Sequence, residues 1–435
     1  MWCLGLSSFL LTAGPLCGLI FLDGVSPPAN TETAPTGPLA GSGWELQLNY
    51  INYHATMISP KHVITARHLG ASRQILTRPE MFGASQLETY AIKGDRILIG
   101  DTDFSIFEVW ETLPGYAQLY QGSDEAGREL VIHGSGVDRG DEVSGAGWRW
   151  GAGDSRKSRW GRNVIKGTTT SEGNDFLYFS FDNFPGQDEV MATGGDSGGG
   201  WFIQEGGIWK LAAVSFSVDS FYSENTVPAD SNGFRGAIFN GSGLSYGRDE
   251  IGWQVIPATG ESSNPGQIEF YRQSHSYGSR ISSRLAEIEA IIAPALAWEQ
   301  LDHAGRFLGW LTDHGVTTET GVNDDPDGDG LSNLEEYFAE SDPSAFSEAE
   351  IGMQFEISSP GTHRFSLRES LDLAGRGLTA IIESSQDLNN WNAVGNLVEL
   401  SSQRLNPEGV RVRILERAGS AEEVRFYRLR LILNP

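Results

Sequence analysis

Ser197 stands in "ATGGDSGGGWF", residues 192–202, between an aspartate and a run of glycines. A serine hydroxyl is a poor nucleophile until a base removes its proton. The oxyanion that forms on attack also needs preorganised N–H donors. Glycine allows the backbone geometry that aims such donors, so Gly195 and Ser197 are candidates for that role. A base is available in "HVITARHLG", where His68 follows an apolar strand-like run. A strand end fixes the backbone while the imidazole reaches into a cleft. An acid is available in "GDTDFSIFEV", where Asp103 opens a β-like run; Asp101 competes for the role, and either residue also suits a turn. A buried carboxylate at this point would hold one imidazole tautomer and stabilise the imidazolium.

A second group of residues carries different chemistry. "DPDGDGLSNLEE", residues 325–336, fits D-x-D-x-D-G-x5-E without a gap. Calcium is a hard cation that takes six to eight oxygens, which this spacing supplies from one short loop. Asp325, Asp327 and Asp329 would give side-chain oxygens and Leu331 its carbonyl. Asn333 would bind directly or through water, and Glu336 would give both carboxylate oxygens. Gly330 allows the sharp turn. A solvated acidic turn is the plainer alternative. The loop holds no Cys or His, which argues against a soft metal.

The elements that must position these groups are mostly strands. "WELQL", "ATMIS", "HVITA", "DRILIG", "FSIFEVW", "ELVIHG", "FLYFSF", "WFIQ" and "WKLAAVSFSV" are short apolar runs separated by glycine turns. Residues 222–275 are polar and Gly-rich and read as a long insertion. Helical spacing is confined to "SRLAEIEAIIAPALAWEQL" and "GRFLGWLTDHG" before the acidic loop. Strand-like runs return from Met353 to the end, in a segment with many arginines and no lysine. With 435 residues, 54 glycines and a formal charge of −26, the chain reads as a multidomain, β-rich globular protein. The acidic balance argues against nucleic acid or anionic membrane surfaces as partners.

The first 22 residues carry no charged side chain. Residues 1–30 are therefore expected to be an export signal or an N-terminal anchor, and 31–43 a flexible Pro/Thr/Gly-rich linker. Both cysteines, Cys3 and Cys17, fall in the leader, so the mature protein is expected to lack a disulfide.

"GDSGG" also satisfies the G-x-S-x-G elbow of α/β-hydrolases. That fold needs its Asp and His after the serine and strands alternating with helices; here the histidine in strand context lies upstream. "ISPKHVITARHL", "DFSIFEV" and "GGDSGGG" instead resemble the three signature blocks of the trypsin/chymotrypsin-like serine proteases, in the order His, Asp, Ser. "VIHGSG", "AAVSFS" and "SRISSRLAEI" are similar to further segments of that family, and the resemblance covers residues 44–300. It implies a mainly β domain of two six-stranded barrels with the site in the cleft between them. It assigns His68 as base and acid, Asp103 as orienting acid, Ser197 as nucleophile, and the N–H groups of Gly195 and Ser197 as the oxyanion hole. It also puts the specificity pocket at Met191, Ser215 and Ser217, which implies small or apolar side chains in a protein or peptide substrate.

The chain departs from that family at four points. Arg67 replaces a small residue before the histidine, Leu69 replaces a disulfide cysteine, and no Ile-Val-Gly-Gly-like start precedes Trp44. The insertion after Ser215 is also longer than usual. Asp196 must therefore find a partner other than the α-amine the family uses. The segment from Asp324 to Pro343 looks like single calcium loops of exported bacterial proteins of the Planctomycetes–Verrucomicrobia kind, which often precede a C-terminal β-module. The expected order is the protease domain at 44–300, a helical linker with the calcium loop at 301–345, and a small β-sandwich at 351–435. The expected protein is secreted or surface-attached through that last domain. A non-catalytic binding or adhesion protein on a protease-like barrel is the alternative.

Overall fold

Apolar runs bounded by glycine turns fold as strands in the computed structural model, and the chain is mainly β. The structure describes residues 19–22, 29–71, 74–76, 89–143, 145–151, 157–182, 188–225, 228–248, 252–258, 272–347, 352–359, 361–418 and 425–435. Its contacts divide into two units. The first comprises residues 1–89, 96–107 and 115–292, and the second 90–95, 108–114 and 293–435. These borders differ from the expected ones. The second unit takes in the acidic loop and the C-terminal strands, together with two short pieces from within the expected protease domain.

In the first unit "WELQL" opens with a 3-10 turn, Trp44–Leu46, before the strand Gln47–Tyr50. Gln47–Tyr50, Tyr53–Ser59, His62–Ala66, Phe104–Val109, Thr89–Leu98 and Gln74–Leu76 are neighbours in that order and close into a barrel. The other large element is an eight-stranded sheet, not a second closed six-stranded barrel. Its centre is the long strand Ile208–Asp219, which pairs with Gly200–Glu205 on one side and His275–Arg280 on the other. Arg159–Val164 and Gly167–Ser171 end the sheet on its two sides. The expected insertion contributes strands. Phe221–Ser223, Phe234–Ile238, Ser245–Arg248 and Gly252–Val255 join Arg139–Val143 and Gly147–Trp150 in a six-stranded sheet.

The start of the chain departs from expectation. Ile20–Phe21 pairs antiparallel with Val190–Met191, and Leu19, Ile20, Phe21 and Leu22 are all buried. Hydropathy alone reads this quartet as leader. Against an open strand edge its backbone finds partners and its side chains join the core. The rest of the expected leader, residues 1–18 and 23–28, lies outside the described residues. The expected linker is also pinned. Glu32 pairs with Lys157 at 2.8 Å and Arg159 at 3.1 Å, and Trp160 Nε1 donates to the Thr33 carbonyl at 2.8 Å. Among the described residues no helix is long and apolar enough to cross a membrane.

Helix α1, Leu285–Glu299, leads from the first unit into the second, where α2, His303–Asp313, and α3, Asn333–Ala339, follow. The C-terminal strands form two sheets. One has the order Met353–Ser359, Thr362–Ser370, Val410–Ala418, Val398–Leu405; the other Asn392–Ala393, Leu378–Ser385, Phe426–Leu433. Phe365, Leu367, Ile382 and Leu415 from both sheets share one apolar core. The arginines here bracket buried carboxylates: Arg411 and Arg413 hold Glu369, and Arg428 and Arg430 hold Glu383. A planar guanidinium suits such paired contacts better than an ammonium, which accounts for arginine in place of lysine.

Candidate active site

The strand His62–Ala66 is buried along its whole length and hands the chain to a single 3-10 turn, Arg67–Leu69. That turn lifts His68 to the surface, and Gly70 ends it at φ +79°. Asp103 directly precedes the strand Phe104–Val109. Its Oδ2 lies 2.8 Å from His68 Nδ1, and its Oδ1 accepts from the His68 backbone N–H at 2.9 Å. Two bonds to one carboxylate fix both the ring and its backbone. Arg67, the departure before the histidine, has a use here: Nη1 donates to the Gly100 carbonyl at 3.1 Å, and its N–H donates to the Asp103 carbonyl at 2.8 Å. Asp101 stays exposed, so the competing acid is not the one beside the ring.

His68 Nε2 lies 2.9 Å from Ser197 Oγ. The Ser197 carbonyl accepts from His54 N–H at 3.2 Å, which ties the serine to the strand Tyr53–Ser59. The glycines after Ser197 are explained by close backbone approach. A Cβ on Gly198 would run into the His54 carbonyl, and one on Gly199 into the His133 carbonyl. Gly195 sits at φ +104°, a conformation that favours glycine. The N–H groups of Asp196 and Gly199 bond within the loop, to the carbonyls of Thr193 and Asp196, and that of Gly198 bonds to the Ser215 carbonyl. Those of Gly195 and Ser197 take no part in these bonds.

Asp196 is fully buried and finds neutral partners. Oδ1 accepts from Gly136 N–H at 2.6 Å, and Oδ2 from Thr193 N–H at 2.7 Å and Thr193 Oγ1 at 3.0 Å. Burial raises its pKa to about 6 against the pull of these bonds. Gly134 and Gly136 of "VIHGSG" leave room for the carboxylate, because a Cβ on either would overlap it. His133, in the same segment, donates from Nε2 to the Ser42 carbonyl at 2.8 Å, and burial lowers its pKa to about 4.

The expected specificity residues are more enclosed than the sequence implied. Met191 is fully buried in a cluster with Ile20, Leu22, Phe181 and Ala237. Ser215 Oγ accepts from Trp201 Nε1 at 2.8 Å, and Ser217 pairs with Tyr277 across a bulge. Sequence reasoning missed two neighbours. Ser276 Oγ donates to Met191 Sδ at 3.2 Å and accepts from Ala192 N–H at 3.1 Å, so it bridges the strand beside the nucleophile and the segment leading to it. Phe216 lies edge-on to His68 at 5.9 Å and stacks on Phe176 at 4.8 Å. No local pattern marks either residue; only strand pairing brings them here.

In the second unit Asp325, Asp327 and Asp329 turn a carboxylate oxygen each toward one another, all within 4.8 Å. Gly328 and Gly330 make the turn at φ +77° and +93°. Asp325 accepts from the N–H groups of Gly328 and Gly330, both at 2.9 Å. Glu336 is fully buried on α3 with Oε2 unpartnered, and Asp327 Oδ2 is likewise buried and unpartnered. Burial first, and then the charge of Asp327, push the Glu336 carboxyl up to about 7. Two orphaned carboxylate oxygens beside a carboxylate cluster fit a hard cation. Asn333 Nδ2 donates to the carbonyls of Glu319 and Gly321 at 2.8 and 2.9 Å, while its Oδ1, the atom that could serve an ion, is buried with no partner. Leu331 N–H donates to Asp329 Oδ1 at 2.8 Å.

Compared with known proteins, the chain matches no family model and no curated sequence.

Proposed function

We propose that the chain is an exported serine endopeptidase that cleaves peptide bonds by acyl transfer on a mainly β, trypsin-like scaffold. The observation that carries this is the continuous pair of hydrogen-bond contacts from Asp103 to His68 and from His68 to Ser197, at 2.8 and 2.9 Å. Its members are drawn from positions 35 and 129 residues apart in sequence. Ser197 Oγ bonds to the substrate carbonyl carbon while its proton passes to His68 Nε2. The N–H groups of Gly195 and Ser197 receive the oxyanion. His68 then gives the proton to the leaving amine nitrogen as the C–N bond breaks. Water attacks the acyl-enzyme, again losing its proton to His68, and Ser197 is released. Asp103 keeps the ring oriented and stabilises its charged form.

Labelling with a serine-directed fluorophosphonate tests the reading. The wild type should be labelled at Ser197 and Ser197→Ala should not; an unlabelled wild type favours the binding-protein alternative. The primary pocket is read as small and apolar from its expected floor at Met191, which Ser276 Oγ contacts at 3.2 Å. A peptide-library profile should favour small residues at the cleaved position, and Ser276→Gly should raise relative kcat/KM for larger apolar residues by about tenfold. A profile dominated by Arg or Lys would overturn that specificity.

The acidic loop is proposed to hold calcium through Asp325, Asp327, Asp329 and Glu336, with the Leu331 carbonyl and Asn333, directly or through water, completing the set. The ion would neutralise the carboxylates and fix the start of α3; it supplies no chemistry to peptide hydrolysis. Cell-surface attachment through the C-terminal strands stays a part of the proposal, to be tested by fractionation of the full chain.

A further inference from the structure

The acidic loop is connected through the second unit to a strand of catalytic importance. Phe104–Val109 begins one residue after Asp103, and its far end, with Trp110 to Pro114, belongs to the second unit. There Thr112 is held at both its polar groups by one buried carboxylate. Its N–H donates to Asp372 Oδ1 at 2.7 Å and its Oγ1 to Asp372 Oδ2 at 2.9 Å. Beside it Glu111 pairs with Arg404 and accepts from Ala91 N–H at 2.9 Å. Gly375 and Gly409 admit this packing: a Cβ on Gly375 would strike Thr112 Oγ1, and one on Gly409 the Trp110 indole.

The same segment grips α3 by its other side. Arg376 Nη1 donates to the Tyr337 carbonyl at 2.6 Å, and its guanidinium pairs with Glu340. Ser370 Oγ also donates to Glu340 at 3.0 Å, and Arg376 N–H donates to the Asp372 carbonyl at 3.0 Å. Tyr337 follows Glu336 directly in sequence, so the group that would close the metal loop and the carbonyl that holds Arg376 are one residue apart. Without a cation, Asp325, Asp327, Asp329 and Glu336 repel one another. With one, Glu336 is held inward and α3 keeps its place.

We propose that Asp372 and Thr112 form a latch through which the acidic loop, when it holds calcium, steadies the strand that carries the orienting acid. Asp372 is thus a positioning residue that touches neither substrate nor metal. Its consequence for activity rests on the acyl-transfer reading; the latch itself does not.

Hydrogen–deuterium exchange on the full chain, with calcium and then with excess chelator, tests the latch, with fluorophosphonate labelling run alongside. Chelation should speed exchange in peptides covering 325–341 and 108–114 by about tenfold, a coupling of ordinary size. Peptides covering 129–134 and 200–219 should not respond, and labelling should slow by about tenfold. Asp372→Ala should exchange quickly at 108–114 even with calcium and show no further response there to chelator. Thr112→Val, which removes one bond and keeps the shape, should show the same pattern to a smaller degree should Asp372→Ala fail to fold. Chelation that loosens 325–341 and leaves 108–114 unchanged overturns the latch, as does an undiminished response in both variants. If the exchange pattern holds and Ser197 never labels, the latch stands and the acyl-transfer reading fails.

Discussion

The nucleophile loop and the acidic loop are both short, glycine-rich and acidic, yet they settle their charge in opposite ways. Asp196 is buried, and every bond that reaches its carboxylate comes from a neutral donor of the surrounding backbone or from Thr193. Asp103 is engaged by His68 through both oxygens. The donors are covalently part of the fold, so this site assembles when the chain folds. In the acidic loop Asp327 and Glu336 each keep a buried oxygen with no partner. Backbone N–H groups reach the rim of that cluster and not its centre. A site whose donors are built in is preorganised; one whose acceptors face each other is complete only with a ligand.

The largest effect that tests this contrast is on catalysis. Ser197→Ala should lower kcat by about 10⁴ to 10⁶, while leaving the melting curve and its response to chelator as in the wild type. A mutant that also loses its chelator response would mean that Ser197 itself carries part of the metal-dependent stability.

Calcium removal should be the next largest effect, felt as stability. At a thousandfold excess over Kd, a ligand that binds only the native state adds about 4 kcal/mol. Calorimetry with and without chelator should show a transition that moves down on chelation. Asp327→Asn, which removes a charge and keeps the shape, should weaken that shift and raise the calcium needed to restore it. An identical scan in chelator removes the metal from the account.

Much of the first site was legible in the sequence because each of its parts announces itself locally. A histidine at a strand end, an aspartate at a strand start and a serine among glycines are visible one segment at a time. What was not legible is what depends on pairing between distant segments. Ser276 reaches Met191 only because His275–Arg280 lies beside Ile208–Asp219. Gly136 reaches Asp196, 60 residues on, only because the loop folds back on "VIHGSG". Leu19–Leu22 reads as leader on hydropathy, since a buried edge strand and a membrane-directed run share one composition. The acidic loop was legible as a motif, but not the bonds of Asn333 Nδ2 to the carbonyls of Glu319 and Gly321, which the motif does not include. In the C-terminal strands the arginines were visible and their buried glutamates were not, because alternation gives a residue's face and not its neighbour.

The smallest effect expected is one of pH, and it probes how the first site manages buried charge. Burial raises Asp196 to about 6 and lowers His133 to about 4, and the two act with opposite sign. Between the ordinary aspartate value and about 6 the folded chain holds a proton on Asp196 that the unfolded chain has lost, so stability rises as pH falls. Between the ordinary histidine value and about 4 the unfolded chain holds a proton that folded His133 does not, so stability falls as pH falls. In the overlapping window, from about pH 6 to about pH 4, the two slopes largely cancel. Asp196→Asn removes one of them. Denaturant melts of this variant should then lose stability with acid by up to about 1.4 kcal/mol per pH unit beyond the wild type, and His133→Gln should tilt the other way. Parallel pH profiles for wild type and Asp196→Asn would mean that Asp196 does not hold its proton in this range, and that the neutral donors around it balance the carboxylate's burial on their own.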